Sequence, residues 1–347
     1  MHHLRFLSAG ALTLAATSSL AQSDVQFYGL LDSMVYRKQL AGEAHVVRID
    51  SGGLSTSFWG MRGREDLGGG LRAEFDITGF FRMDVGASGR SDVDPLFSRS
   101  SWLGLQGRWG GVRLGRQSTL AFLNLVRYNA LGGSSAFNPS FLHNYQSSAT
   151  QPLMTASGAA DSSWNNALSY TTPTLSGFSG AVFHAPAEAS TVGRRMGASL
   201  SYTQGAFSAG LAAEKISDMG LNFSKPPANL RIADSKLWSL GASYDFKAVK
   251  LFGQLIKTEL RSATAQIDLE TRGIGAALPM GAGKVLMSYS ETTRSQTAQA
   301  GAKRRTAAVA YEYTLSRRTD VYGVVLSDRA TRLANGNGLA IGIRHRF

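Results

Sequence analysis

No cysteine occurs in the 347 residues, which excludes a disulfide framework and any thiolate-ligated metal or iron–sulfur site. Proline is scarce, at 8 residues, and 24 Asp and Glu face 36 Lys and Arg, for a formal charge of +12. Beyond the N-terminal stretch no run approaches ~18 consecutive apolar residues, so nothing reads as a membrane-crossing helix. A mean hydropathy of −0.09 agrees with that. Low-complexity tracts are missing too, and a 43% hydrophobic content is that of a folded chain, which excludes disorder. Glycine is plentiful, at 39 residues, and points to many turns and β structure.

The first residues have the form of an export signal. His2, His3 and Arg5 make a short basic start, an apolar run covers 6–16, and Ser19-Leu20-Ala21 fits a small-x-small cleavage site. A buried N-terminal helix is the alternative. Removing 1–21 leaves a single domain over 22–347 and takes away one charged side chain, Arg5. Export also argues against nucleic acid as the partner of so basic a chain.

Alternation of apolar with polar or small residues, the strand signature, recurs along the rest. In 71–78, Leu71, Ala73, Phe75 and Ile77 oppose Arg72, Glu74, Asp76 and Thr78. The spacing predicts sixteen strands, at 25–36, 54–65, 71–82, 99–107, 111–116, 164–171, 177–184 and 195–203 in the first half. The second half holds 207–215, 237–246, 249–258, 270–278, 284–292, 304–314, 320–327 and 339–347. Short links (66–70, 108–110, 172–176, 204–206, 247–248, 279–283, 316–318) alternate with long ones (37–53, 83–98, 117–163, 185–194, 216–236, 259–269, 293–303, 328–338). Tight turns at one end and longer loops at the other describe a transmembrane β-barrel. Lipid cannot satisfy backbone polar groups, so such a sheet must close, with apolar side chains outward and polar ones around water. Phe27, Tyr28, Trp59, Phe178, Trp238, Tyr244, Phe246 and Tyr313 are then candidates for interfacial girdles. A soluble β-sandwich is the competing fold.

Several blocks resemble the general trimeric porins of Gram-negative outer membranes, especially the beta-proteobacterial type. They are Val25-Gln26-Phe27-Tyr28-Gly29-Leu30-Leu31-Asp32, the stretch from Phe58-Trp59-Gly60 to Leu71-Arg72-Ala73, and Ser98-Arg99-Ser100 with Val112-Arg113-Leu114-Gly115-Arg116-Gln117. Asn166-Ala167-Leu168-Ser169-Tyr170 and the ending Gly342-Ile343-Arg344-His345-Arg346-Phe347 complete the set, in order along the chain. The resemblance implies an all-β, sixteen-stranded antiparallel barrel, homotrimeric, with the third outer loop folded into the lumen. It also implies that Phe347 is the aromatic read by the barrel-assembly machinery. Independently, the 117–163 link is 47 residues long, a length usual for functional or disordered loops, and sixteen strands leave an aqueous bore that it could narrow. A surface loop is the bland alternative.

Between Pro95 and Ala160 no Asp or Glu occurs in 66 residues, whereas Arg99, Arg108, Arg113, Arg116 and Arg127 do. A constriction built there is positive and favours anions, since guanidinium stays charged at any relevant pH. Strand parity turns Arg62, Arg64 and Arg113 inward, with Arg116 at a strand end where parity fails. Arg99 matches a family position that projects into the constriction, and Arg127 comes from the loop. Any of them can instead be an ordinary wall arginine, Arg62 pairing with Glu74 or Asp76 for example. Phe58 stands where the family often has a further arginine, and could narrow the bore. Arg344 and Arg346 also face inward, as lumen charge or as a structural pair near the rim.

The resulting expectation is an outer-membrane channel for small hydrophilic solutes and anions, with no cofactor and no metal site. Outer-membrane lipid and lipopolysaccharide are expected partners, the latter through basic loop residues such as Arg194 and Arg195. Three alternatives remain: a barrel hydrolase (phospholipase or protease), for which no Gly-x-Ser-x-Gly or paired histidine is present; a plugged anchor; and a substrate-specific channel lined by Phe122, Tyr128, Phe137, Phe141 and Tyr145.

Overall fold

The computed structural model describes residues 24–146, 162–187, 193–222, 229–263, 266–296 and 299–347. The expected leader, 1–21, lies outside them. The chain opens with β1 (Asp24–Lys38), β2 (Val46–Ser51), β3 (Phe58–Gly68), β4 (Leu71–Arg82), β5 (Ala87–Ser88), β6 (Ser100–Gly107) and β7 (Gly110–Ser118). Two short helices follow, α1 (Leu120–Arg127) and α2 (Pro139–Asn144). Next come β8 (Ser163–Thr171), β9 (Phe178–Ala185), β10 (Arg195–Gln204), β11 (Phe207–Asn222) and β12 (Asn229–Asp245). The last are β13 (Lys250–Arg261), β14 (Gln266–Met280), β15 (Gly283–Gln296), β16 (Gln299–Thr314), β17 (Thr319–Ala330) and β18 (Gly336–Arg346).

All pairings are antiparallel, and β18 returns to β1 from Leu30↔Arg346 to Lys38↔Gly338, so the sheet closes on itself. β2 and β3 both pair with β1, over 33–38 and 24–30, and are two pieces of one stave. β5 only prolongs the end of β4. The result is a closed barrel of sixteen staves. At the seam, Gly29 and Phe347 exchange both backbone hydrogen bonds at 3.1 Å, and the Phe347 ring lies 5.5 Å from Phe27.

The two faces invert those of a soluble barrel. Along β12, Trp238, Leu240 and Tyr244 are exposed, whereas Ser235, Ser239 and Ser243 are buried. Val182, Leu200, Leu211, Ile274, Val325 and Ile341 continue the exposed apolar band around the wall. Such a surface is stable only against hydrocarbon. Tyr28 departs from the expected girdle: its neighbour Phe27 is on the apolar face, so the pleat turns Tyr28 to the polar one, where its hydroxyl donates to Asp76 at 2.5 Å.

The short turns fall where the sequence places them, but the strands overrun several long links. β11 and β12 stay paired as far as Asn222↔Asn229, inside the expected 216–236 loop. These extensions carry Ser217, Asp218, Asp234 and Lys236, so apolar alternation cannot reveal them. The link 37–53 likewise contains β2, and the strand expected over 54–65 begins at Phe58 after a break. Buried Asp32 holds that break: its Oδ1 accepts from Gly53 N (3.0 Å) and Tyr322 Oη (2.5 Å), and its Oδ2 from Ser55 N (2.8 Å).

Candidate functional site

After β7, α1 and α2 reach side chains on the polar face of the sheet. α1 packs on β10, β11 and β12, and α2 on β14, β15 and β16. Both helices begin with side-chain caps, Thr119 Oγ1 accepting from Phe122 N (3.3 Å) and Asn138 Oδ1 from Phe141 N (3.2 Å), with Pro139 at the first position of α2. Ala121 and Leu125 of α1 bury against Ala212, Leu237 and Ile256. Polar ties add direction: Ala121 N donates to Glu214 (2.6 Å), Asn124 Nδ2 to Ser239 Oγ (2.8 Å), and Gln254 Nε2 to Leu125 O (2.6 Å). Past α1, the Tyr128 ring rests on Gly241, where a Cβ would stand 2.3 Å from it. Gly241→Val is therefore expected to lift Tyr128 off the wall at a cost of about 1–3 kcal/mol. Thermal unfolding of the purified barrel checks the cost.

His143 anchors α2. Its Nδ1 lies 2.8 Å from Thr292 Oγ1 and its Nε2 2.7 Å from Thr306 Oγ1, all buried. Arg304 donates to Leu142 O (3.3 Å) and forms a two-pronged pair with Asp328, 3.0 Å in each arm. Burial, then the Arg304 guanidinium, drive the His143 pKa well below the usual histidine range, against the pull of Asp328. The released segment therefore takes up a proton before the anchored one does. The anchor keeps full strength above about pH 6.5 and weakens as pH falls below it. Protease protection around α2 is expected to drop on mild acidification in the native protein and to stay flat in His143→Gln.

A cavity of 380 Å³ lies between α1 and the polar faces of β1, β3, β4 and β6 to β9. Arg62, Arg99 and Arg113 line it, with Asp76 the one carboxylate among the described lining residues. Each guanidinium lies over a ring: Arg62 over Tyr28 (4.6 Å), Arg99 over Phe58 (4.1 Å) and Arg113 over Trp102 (4.1 Å). Such stacking fixes the plane of the cation while keeping its charge. Asp76 is occupied by hydroxyls, from Tyr28, Thr78 (3.1 Å) and Ser100. For that reason Arg62, although in register with Asp76, donates instead to Gln26 Oε1, from Nε (3.0 Å) and Nη2 (2.7 Å). Glu74 lies 3.9 Å from Arg113 but takes its close contact, 2.6 Å, from Arg72.

The remaining sequence candidates go elsewhere. Arg116 is buried and donates to Ser98 O (2.7 Å) and Asn165 Oδ1 (2.6 Å), because a register shift between Gly115 and Gln117 re-aims it. Arg127 reaches Thr203 Oγ1 at 2.8 Å, beside the β10–β11 turn. Arg64 is exposed toward the β3–β4 turn. Phe58 is the platform under Arg99. Arg344 takes the structural option: it donates to Glu312 (2.5 Å) and Asp320 (3.1 Å), and Arg346 reaches Asp320 at 2.7 Å. Tyr128 and Phe137 are buried in packing, whereas Phe122, Phe141 and Tyr145 form one ring cluster with centroids 5.5–6.0 Å apart. Trp102, which the sequence reading does not single out, and Tyr28, which it places in the girdle, also line the cavity; their place opposite Leu103 and Phe27 in the alternation assigns them to the polar face.

Comparison with known proteins fits this geometry. The family profile described as Gram-negative porin matches residues 8–332. Outer membrane porin protein 32 of Delftia acidovorans is 32% identical, over 98% of this chain and 99% of that one. An outer membrane porin of Bordetella pertussis is 24% identical over the same shares. Among solved structures, an anion-selective porin from Comamonas acidovorans superposes with a TM-score of 0.76 at 28% identity, covering 94% of this chain and 100% of its own. The chain belongs to the Gram-negative porin family, and its barrel is a channel of the outer membrane rather than an enzyme.

Proposed function

We propose that this porin passes small hydrophilic solutes and prefers anions, with 119–146 of the expected 117–163 loop lying in the bore (147–161 fall outside the described residues) and Arg62, Arg99 and Arg113 forming the charged side of the passage. The observation that carries the preference is the cavity beside α1: among the described lining residues, three guanidinium groups stand against one carboxylate, with Glu74 3.9 Å from Arg113 as the further one nearby. The hydrogen bonds from α1 and α2 to the polar face support the placement of the segment, and the anion-selective relative supports the sign. Arg64, Arg116 and Arg127 add positive potential around the path without lining this cavity. In a narrow passage with low-dielectric walls such charges act on ions more strongly than in bulk water.

The same reading includes a leader over 1–21 that directs export, a barrel domain over 22–347, a homotrimer, and Phe347 as the residue recognised during assembly. Lipopolysaccharide would meet exposed Arg194 alone, because Arg195 opens β10 and is buried on the face opposite exposed Met196. Zero-current potentials in a KCl gradient across a planar bilayer test the central claim. The expected sign is that of chloride permeating faster than potassium, and the opposite sign rejects it.

A further inference from the structure

We infer that the cavity between α1 and the arginine wall is a subsite for small carboxylates with an apolar body, arylcarboxylates such as benzoate, and that the channel binds them in preference to compact anions. The inference rests on the anion-channel reading above and assigns it a substrate class.

The cavity has two unlike sides. Arg62, Arg99 and Arg113 stand on one, each held over an aromatic ring. Guanidinium carries five N–H donors in a fixed fork, of which Arg99 gives one to Thr78 (3.3 Å) and Arg62 two to Gln26. The donors left over suit a planar carboxylate held by two oxygens. Leu120 and Leu123 of α1 stand on the other side. Leu123 is 50% exposed, although a leucine turned toward wall residues would bury more apolar area. Chloride gains nothing from that leucine, and acetate offers it one methyl group. An aromatic ring can lie against Leu123 while its carboxylate meets the arginines. The cavity's 380 Å³ falls at the low end of the range for ligand sites, about 300–1,000 Å³, as a single-ring acid requires. Asp76 gives its oxygens to three hydroxyls and Glu74 stays 3.9 Å from Arg113, so the guanidinium donors are left for a ligand.

Covering roughly 55 Å² of ring is worth about a factor of ten in affinity over acetate at about 25 cal/mol per Å². The test is block of chloride current in planar bilayers by potassium benzoate, with potassium acetate as the control of equal charge. In the native protein the half-blocking concentration of benzoate is expected about tenfold below that of acetate. Leu123→Ser, at a half-exposed position, should bring the two together, whereas Arg113→Gln should weaken block by both. Equal block by benzoate and acetate in the native channel overturns the inference, as does a benzoate advantage that survives Leu123→Ser. If native zero-current potentials show chloride preference while benzoate has no advantage, the anion channel stands and only the subsite falls. A potassium preference removes both.

Discussion

Exchanging Arg99 and Arg113 together for glutamate is expected to reverse the sign of the zero-current potential in a KCl gradient. The cavity then holds one guanidinium and three carboxylates, where it had three guanidiniums and one carboxylate. A unit charge about 8 Å from a passing ion contributes about 2 kcal/mol at an effective dielectric constant near 20, so two reversals exceed any modest starting preference. Salt weakens the effect, because the screening length falls from about 10 Å at 0.1 M to about 3 Å at 1 M. The shift should therefore be largest in dilute KCl. Arg99→Lys with Arg113→Lys keeps the charge and should keep the sign, while losing the planar stacking on Phe58 and Trp102. If the double glutamate variant folds and its potential equals that of the native protein, these arginines do not lie on the ion path.

The second large effect concerns the anchor of α2. Asp328→Ala is expected to destabilise the barrel by about 3–5 kcal/mol, because it strands Arg304 as a buried charge. The pair is closed to solvent, with side-chain exposures of 2% and 1%. Asp328 also accepts from Thr306 (2.5 Å) and from Ala41 N (2.9 Å), so its loss frees three donors at once. Removing both partners, as Arg304→Met with Asp328→Leu, should cost much less, since neither charge is then left alone. The heat needed to convert the compact electrophoretic form to the unfolded one measures both variants. Equal losses in the single and double variants would contradict this account.

The barrel was legible in the sequence because lipid on one side and water on the other enforce a period of two, and Trp238, Leu240 and Tyr244 show it plainly. What escaped was set by contacts distant in the chain. The break between β2 and β3 depends on Asp32 and on Tyr322, which no local pattern joins. The outer halves of β11 and β12 mix Ser217, Asp218, Asp234 and Lys236 with apolar residues, which interrupts the rhythm. Arg116 illustrates the limit of parity, since one register shift sends it to Ser98 O instead of the cavity. The helices had a signal that length alone concealed: Thr119 before an apolar stretch, and Asn138-Pro139 before another, are helix starts. Of the arginines singled out, Arg62 and Arg113 follow from the alternation of β3 and β7, whereas Arg99, just before β6, follows from the resemblance alone.

The contact between Tyr322 and Asp32 spans 290 positions of the chain, and the last stave pairs with the first. A cylinder of this kind has no half-built resting form. Until the final hairpin arrives, the growing sheet keeps two raw margins whose amides and carbonyls invite any passing strand. Ring closure between such remote partners is slow, and the waiting chain is greasy on the side meant for lipid. The interval between synthesis and insertion is therefore when this architecture is most exposed to aggregation.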